Sequence, residues 1–275
     1  MRGTSRPGGS DLAWPRAISY SCCVNHSPCV HSVTLALLLL AAAAAAPEAN
    51  AAYANHPRLL FEAGDVANLR AKVQDGGDDD AAYVSVVNLA GQWLALSLDD
   101  LLFFSEGLFA ITDLGLVAHL ELDGIAYAVK ARDTVLHLAR TRDVDADEFG
   151  SSIRLRTLAL GYDMAFDTAT PQEQAEVRQE IRSYLDYMPG QFSYFSQAYN
   201  PYAGNHGMTV GASMGLAVVA IWDDLTPAQQ DSLVPALTFA DLLVDKCLTD
   251  ILGADGAYKE GVLYAGWIMR MAIPY

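Results

Sequence analysis

Apolar residues recur at helical spacing along nearly the whole chain after residue 51, and this periodicity limits the fold more than any other feature. Gly115 to Arg140 contains one apolar stripe, a break at Asp123-Gly124 and a second stripe, which predicts a helical hairpin. The sequence has no run of alternating β-branched residues bounded by hairpin turns, and no glycine-rich phosphate loop. We therefore expect an all-α chain, built from antiparallel helical hairpins with short loops.

Two capping signals predict where helices begin. In Thr170-Pro171-Gln172-Glu173, the threonine and glutamate can each satisfy an unpaired backbone N–H, and proline occupies the first helical position. Thr226-Pro227-Ala228-Gln229 repeats this signature before a helix that should run to about Leu252. Between them, Asn205 to Trp222 is uncharged and rich in small residues, which predicts a helix buried on most sides and ended by Asp223-Asp224.

Other patterns predict helix ends and loops. An acid-rich loop is expected over Asp143 to Gly150, with Ser152 capping the next helix. Met188-Pro189-Gly190 should stop the helix that begins at Pro171, and so open a long aromatic loop to Gly204. A second, glycine-rich loop is expected over Leu252 to Tyr264. Long ordered loops in compact domains tend to carry function.

Residues 1–51 have the pattern of a signal peptide with an extended N-terminal leader. Val33 to Ala46 is an uncharged apolar run of fourteen residues, preceded by three arginines and followed by the small-residue triplet Ala49-Asn50-Ala51. A transmembrane helix needs about 20 residues, so this run is too short to span a bilayer comfortably. We expect cleavage after Ala51, a secreted or periplasmic protein, and no membrane association afterwards.

Charge excludes two classes of protein. Asp and Glu outnumber Lys and Arg 33 to 17, and 52% of the residues are hydrophobic. A disordered chain would have less apolar content, and a nucleic-acid binder would have an excess of basic residues. The formal charge of −16 becomes −17 when the leader is removed. Cys247 is then the one remaining cysteine, and its apolar surroundings predict a buried structural thiol.

Four motifs follow one another along the chain after residue 55. They are His56-Pro57-Arg58-Leu59-Leu60-Phe61, the segment from Gly161 to Asp167, Gly204-Asn205-His206, and Asp255 to Gly261 followed by Tyr264. Together they resemble motifs of the heparinase II/III-type polysaccharide lyases and their alginate-lyase relatives. The first is similar to the opening of these enzymes, the second to their Tyr-Asp-x-x-x-Asp helix, the third to their Asn-His element and the fourth to the segment that supplies a tyrosine.

The resemblance implies an (α/α) toroid that cleaves an acidic polysaccharide by β-elimination at a uronic acid, with residues 52–275 as a partial, catalytic-type domain. Removal of the proton next to a carboxylate requires donors that spread the developing charge, together with a base and an acid. By position, Asn205 would neutralise the carboxylate. His206 would be a base or would set the state of Tyr264, which would be the general base or the acid. Further substrate contacts would come from Tyr202, Tyr258, Glu260 and Trp267.

Neither a metal nor a cofactor is expected. His119, His137 and His206 lie on separate predicted helices, without a partner at the spacing of metal ligands. Gly211 to Gly215 matches the Gly-x-Ser-x-Gly letters of a hydrolase nucleophile elbow but has no preceding strand.

The sequence is compatible with three function classes. The first is a lyase specific for a uronate-containing polymer such as alginate or a glycosaminoglycan. The family usually continues with more toroid helices and a β-sandwich, so the chain is expected to be an incomplete toroid and could be an inactive fragment. The other two classes are a toroidal glycoside hydrolase and a non-catalytic helical module that binds glycan.

Overall fold

The computed structural model describes residues 56–75, 77–101, 106–141, 148–198 and 205–251, and these ranges contain helices and no strand. The all-α prediction is therefore confirmed for this part of the chain. Its helices are α1 (Val66–Lys72), α2 (Asp78–Ala95), α3 (Leu98–Leu101), α4 (Glu106–Leu120), α5 (Ile125–Arg140), α6 (Glu148–Met164), α7 (Pro171–Ala198), α8 (Asn205–Ile221) and α9 (Pro227–Ile251). Short 3-10 turns lie at Ala63–Asp65, Phe166–Thr168 and Trp222–Asp224.

The predicted hairpin over Gly115 to Arg140 is present as α4 and α5. The backbone turns at Gly124, whose carbonyl accepts hydrogen bonds from the N–H groups of Tyr127 and Ala128. A Cβ atom at Gly124 would overlap the carbonyl oxygen of Ala118, so only glycine allows this close return of the chain. The break that was predicted from Asp123-Gly124 is thus a steric requirement of the turn.

Both predicted helix starts are confirmed, and the first has a complete capping box. At the start of α7, the N–H of Thr170 donates to Glu173 Oε2 at 2.8 Å, and the N–H of Glu173 donates to Thr170 Oγ1 at 3.3 Å. At the start of α9, the N–H and the hydroxyl of Thr226 donate to Gln229 Oε1 at 2.9 and 3.0 Å, while the N–H of Gln229 donates to the carbonyl oxygen of Thr226. The backbone N–H groups in these bonds would otherwise be unpaired at the start of a helix.

Two predicted boundaries are wrong. Pro189 does not stop α7, which continues to Ala198, so the aromatic loop predicted from Pro189 is helical over its first ten residues. Tertiary packing outweighs the local cost of the proline, because Leu185 and Met188 are buried on the inner face of α7. Ser152 does not cap α6, which begins at Glu148, inside the predicted acidic loop; Ser152 is instead buried in the second turn of α6.

The carboxyl ends of α4, α6 and α8 lie together. The ring of His119, near the end of α4, has Nε2 3.0 Å from the carbonyl oxygen of Met164, the last residue of α6. In the last turn of α6, the Tyr162 hydroxyl donates to Asp224 Oδ2 at 2.8 Å, three residues beyond α8. Since α4, α6 and α8 also contact one another in this order, they form one layer of helices whose ends meet at a common edge.

The opposite edge of this layer holds the amino ends of α6 and α8. The rings of Phe149 and His206, each in the second position of its helix, have centroids 5.0 Å apart. Contacts at both ends show that α6 and α8 run parallel to each other. Helices α5, α7 and α9 form a second layer. Each of them packs against the described helices that precede and follow it along the chain.

The first layer, formed by α4, α6 and α8, is the inner layer, and the second, formed by α5, α7 and α9, is the outer layer. The inner layer is more completely buried than the outer layer. Every residue from 207 to 218 of α8 is buried, as predicted for this small-residue helix. A Cβ atom at Gly211 would lie 2.9 Å from the carbonyl oxygen of Ala240 on α9, so glycine permits close packing of the two layers. Helix α9 buries one face only, and Cys247 lies on that face, as predicted.

No helix within the described ranges is both long enough and apolar enough to cross a membrane. Residues 1–51, with the predicted signal peptide, lie outside the described residues.

Candidate functional site

Cationic side chains occupy the carboxyl ends of the inner helices. Arg70 of α1 donates to the carbonyl oxygens of His119 and Leu120 at the end of α4, at 2.7 and 3.1 Å. Arg58 Nη2 donates to the carbonyl oxygen of Ala220 at the end of α8, at 2.6 Å. Carbonyl groups at a helix end carry partial negative charge and lack partners within the helix, so these arginines cap them favourably.

The segment that begins with His56-Pro57-Arg58 is bound to this edge through Asp163 of α6. The buried Asp163 carboxylate lies 2.7 Å from His56 Nδ1 and accepts the backbone N–H groups of Arg58 and Leu59 at 3.0 Å. Three donors on one carboxylate offset the cost of burying its charge. Two motifs that are more than 100 residues apart in the sequence are therefore bonded to each other.

His56 connects two carboxylates. Its Nδ1 faces Asp163, and its Nε2 lies 3.2 Å from Asp224 Oδ2; the ring stacks on Phe166 with centroids 3.9 Å apart. Burial lowers the pKa of the His56 imidazole, but the hydrogen bonds to Asp163 and Asp224 raise it by more, so this pKa lies above its ordinary value. Both ring nitrogens can then donate at once, as this geometry requires.

Asp224 and Tyr162 extend the same network. Burial raises the pKa of Asp224, but hydrogen bonds from His56 and Tyr162 lower it by more, and the net shift is downward. Burial raises the pKa of the Tyr162 hydroxyl, which accepts a hydrogen bond from Arg178 Nη1 at 2.8 Å. This phenol thus stays protonated near neutral pH and donates to Asp224.

We call His56, Arg58, Tyr162, Asp163 and Asp224 the His56 cluster. His56 is 8% exposed and Asp163 1%, so a polymer cannot reach either group. The cluster joins the chain at residue 56 to the carboxyl ends of α6 and α8, and its charged side chains are paired with one another. These contacts hold the segment at residue 56 against the helix ends.

His206 differs from His56 in its access to solvent. It lies in the first turn of α8, which begins at Asn205, and its side chain is exposed beside the ring of Phe149. At a rise of 1.5 Å per residue, α8 separates His206 from Asp224 by roughly 25 Å. The helix start predicted at Asn205 is confirmed, and His206 lies at the opposite edge of the inner layer from the His56 cluster.

Five predicted site residues lie outside the described residues: Tyr202, Tyr258, Glu260, Tyr264 and Trp267. The loop predicted over Leu252 to Tyr264 also lies outside them. Of the site named from the sequence, the structure describes His206 and the backbone of Asn205.

Other candidates for chemistry are buried or dispersed. Ser213, in the Gly211 to Gly215 pattern, is fully buried in the middle of α8, so the pattern is not a nucleophile elbow. His119, His137 and His206 lie on three separate helices, as predicted. Within the ranges that the structure describes, no group of three or more His, Cys, Asp or Glu side chains could hold a metal ion.

Sequence reasoning missed the His56 cluster as a unit. Both of its main motifs were singled out, but as separate signs of a family and not as partners. The one available signal was the presence of Asp163 and Arg58 in otherwise apolar segments, since buried charges require partners.

Comparison with known proteins identifies no family for this chain: no protein-family model and no curated protein matches it.

Proposed function

We propose that this protein is a polysaccharide lyase of (α/α)-toroid architecture, which cleaves a uronic-acid-containing polymer by β-elimination. The observation that carries the proposal is the exposed His206 in the first turn of the buried helix α8. A solvent-exposed imidazole at the edge of a helical layer is a suitable general base, because a substrate can reach its ring nitrogens.

The layer arrangement supports the proposal. Helices α6 and α8 run parallel, and their amino ends meet beside His206. The amino end of a helix presents unpaired N–H groups and a partial positive charge, which favours a carboxylate. A uronate carboxylate bound at this edge would have its charge neutralised, and the hydrogen on the adjacent carbon would become easier to remove.

The toroid is part of the same proposal. An (α/α) toroid alternates inner and outer helices, and the described helices alternate between a buried layer (α4, α6, α8) and an outer layer (α5, α7, α9). The four motifs that resemble heparinase II/III-type lyases add Tyr264 as the partner of His206, as base or as acid. Asn205 would bind the carboxylate, while Tyr202, Tyr258, Glu260 and Trp267 would contact the sugar.

The test is ultraviolet absorbance of a polymer digest, since β-elimination leaves an unsaturated uronate. We expect His206→Ala and Tyr264→Phe each to slow product formation by about 10²–10⁴-fold. His137→Ala is the matched control, because His137 is also a partly exposed helical histidine, bonded to Asp99 on α3.

Each alternative function has a distinct outcome. New reducing ends without ultraviolet absorbance would identify a hydrolase. Polymer binding without any product, unchanged in Tyr264→Phe, would identify a glycan-binding module. Wild-type rates in His206→Ala would remove His206 from the mechanism.

A further inference from the structure

A groove in the outer layer, away from His206, is lined by two arginines. It has a volume of about 440 Å³ and lies between the first half of α7 and the start of α9, including Leu225 just before that helix. Its volume is within the range of about 300–1,000 Å³ that is typical of small-molecule sites. Its lining is polar apart from Ala175 and Leu225, so the shape and chemistry fit a hydrophilic ligand.

Arg178 and Arg182 stand one helical turn apart on α7 and both line the groove. Arg178 is oriented by the protein, because its Nη1 donates to the Tyr162 hydroxyl at 2.8 Å. Arg182 is half-buried, and within the described residues it makes no hydrogen bond or ion pair. Two positive charges at this spacing repel each other weakly. A bound anion would offset this repulsion.

The net charge of the groove favours a ligand that carries one negative charge. Two guanidinium groups face one lining carboxylate, Asp186, so the local balance is about +1 on a chain whose formal charge is −16. Arginine binds planar oxyanions through paired N–H donors. Gln179, Ser183 and Gln229 add neutral donors and acceptors of the kind that bind hydroxyl groups.

We propose that this groove binds the carboxylate of a uronic acid sugar, with Arg182 as the main contact and Arg178 as a pre-oriented second one. That the anion is a sugar carboxylate rests on the proposed function. The groove adjoins the His56 cluster through Tyr162, whereas His206 lies at the opposite edge of the inner layer. It is therefore a second binding site, suited to hold a uronate residue of the polymer or a short product away from the reacting bond.

Calorimetric titration of the full chain with D-glucuronate and D-glucose tests the proposal, because these sugars differ only at C6, which is a carboxylate in the first and a hydroxymethyl group in the second. We expect glucuronate to bind at least tenfold more tightly than glucose. Arg182→Gln should weaken glucuronate binding roughly tenfold, as expected for loss of a charge-assisted hydrogen bond. Asp186→Asn should strengthen it, since one negative charge leaves the groove.

Arg132→Gln is the matched control, because it removes one positive charge from α5, where Arg132 is bonded to Asp133. It should change glucuronate affinity less than twofold. The proposal is overturned if Arg182→Gln binds glucuronate as the wild type does, if Arg132→Gln causes the same loss, or if inorganic sulfate binds as tightly as glucuronate. If Arg182→Gln failed to fold, unchanged or weaker binding by Asp186→Asn would overturn the proposal.

The two proposals fail in different ways. Glucuronate binding that depends on Arg182, in a protein that forms no unsaturated product, would disprove the lyase function alone. Product formation by a protein in which Arg182→Gln leaves glucuronate binding unchanged would disprove the groove alone.

Discussion

Asp113 of α4 has its carboxyl group in the interior, 6% exposed, where it accepts a hydrogen bond from Trp93 Nε1 at 2.9 Å. Burial raises the pKa of Asp113 to about 6, and the bond from Trp93 offsets only part of that shift. Between about pH 4 and 6 the folded protein therefore binds more protons than the unfolded chain, so stability falls as pH rises through this window.

Asp113→Asn is expected to stabilise the protein at pH 7, because it removes a buried charge and keeps an acceptor for Trp93. The gain in the free energy of unfolding should be about 1–3 kcal/mol, and the decline between pH 4 and 6 should flatten. Urea denaturation across this pH range measures both effects. Asp123→Asn, at an exposed turn position, is the control. An Asp113→Asn protein less stable than the wild type at pH 7 would contradict the view that the buried Asp113 charge is destabilising.

Individual residues could be predicted from the sequence where a local rule applied to them. Cys247 was predicted to be buried because it lies in an apolar stretch of the sequence, and Asp123-Gly124 was predicted to break a helical stripe. Asp113 and the partners of Asp163 could not be predicted in this way. Their environment is made by α2 and by the segment at residue 56, which are distant in the sequence.

At the scale of elements, α7 shows how packing overrides a local signal. Pro189 lacks the N–H that would bond to the carbonyl of Leu185, yet α7 continues to Ala198. Pro171, in contrast, lies at the first helical position, where no N–H bond is lost.

Pro189→Ala is expected to raise the free energy of unfolding by about 1 kcal/mol, because it restores one backbone hydrogen bond within α7. The gain should stay below roughly 3 kcal/mol, which is the difference in helix propensity between Ala and Pro, because proline also restricts the unfolded chain. Urea denaturation measures the change. Pro171→Ala, the matched control, should be close to neutral. Destabilisation by Pro189→Ala larger than that by Pro171→Ala would show that the ring of Pro189 itself packs favourably.

At the scale of the whole molecule, the charge of −16 affects which polymer can approach. A strongly acidic protein repels a densely sulfated chain at long range, apart from local basic regions such as the Arg178 and Arg182 groove. The proposed lyase should therefore act on a polymer with one carboxylate per sugar.

Alginate is expected to be cleaved faster than heparin at low ionic strength, and added salt should narrow the difference by screening the repulsion. Initial rates of ultraviolet product formation on a panel of polymers, with and without salt, measure this preference. Heparin as the preferred substrate at low salt would contradict it.

The sequence by itself determined the helical class, the α4–α5 hairpin and the starts of α7, α8 and α9. These depend on periodicity and on capping bonds between residues three or four positions apart. Only the tertiary structure decided that His56 is bonded to Asp163 and Asp224, that α6 and α8 run parallel with His206 at their amino ends, and that Arg178 and Arg182 line a groove. The physical reason is distance along the chain: these features join residues that come together only when the two helical layers pack.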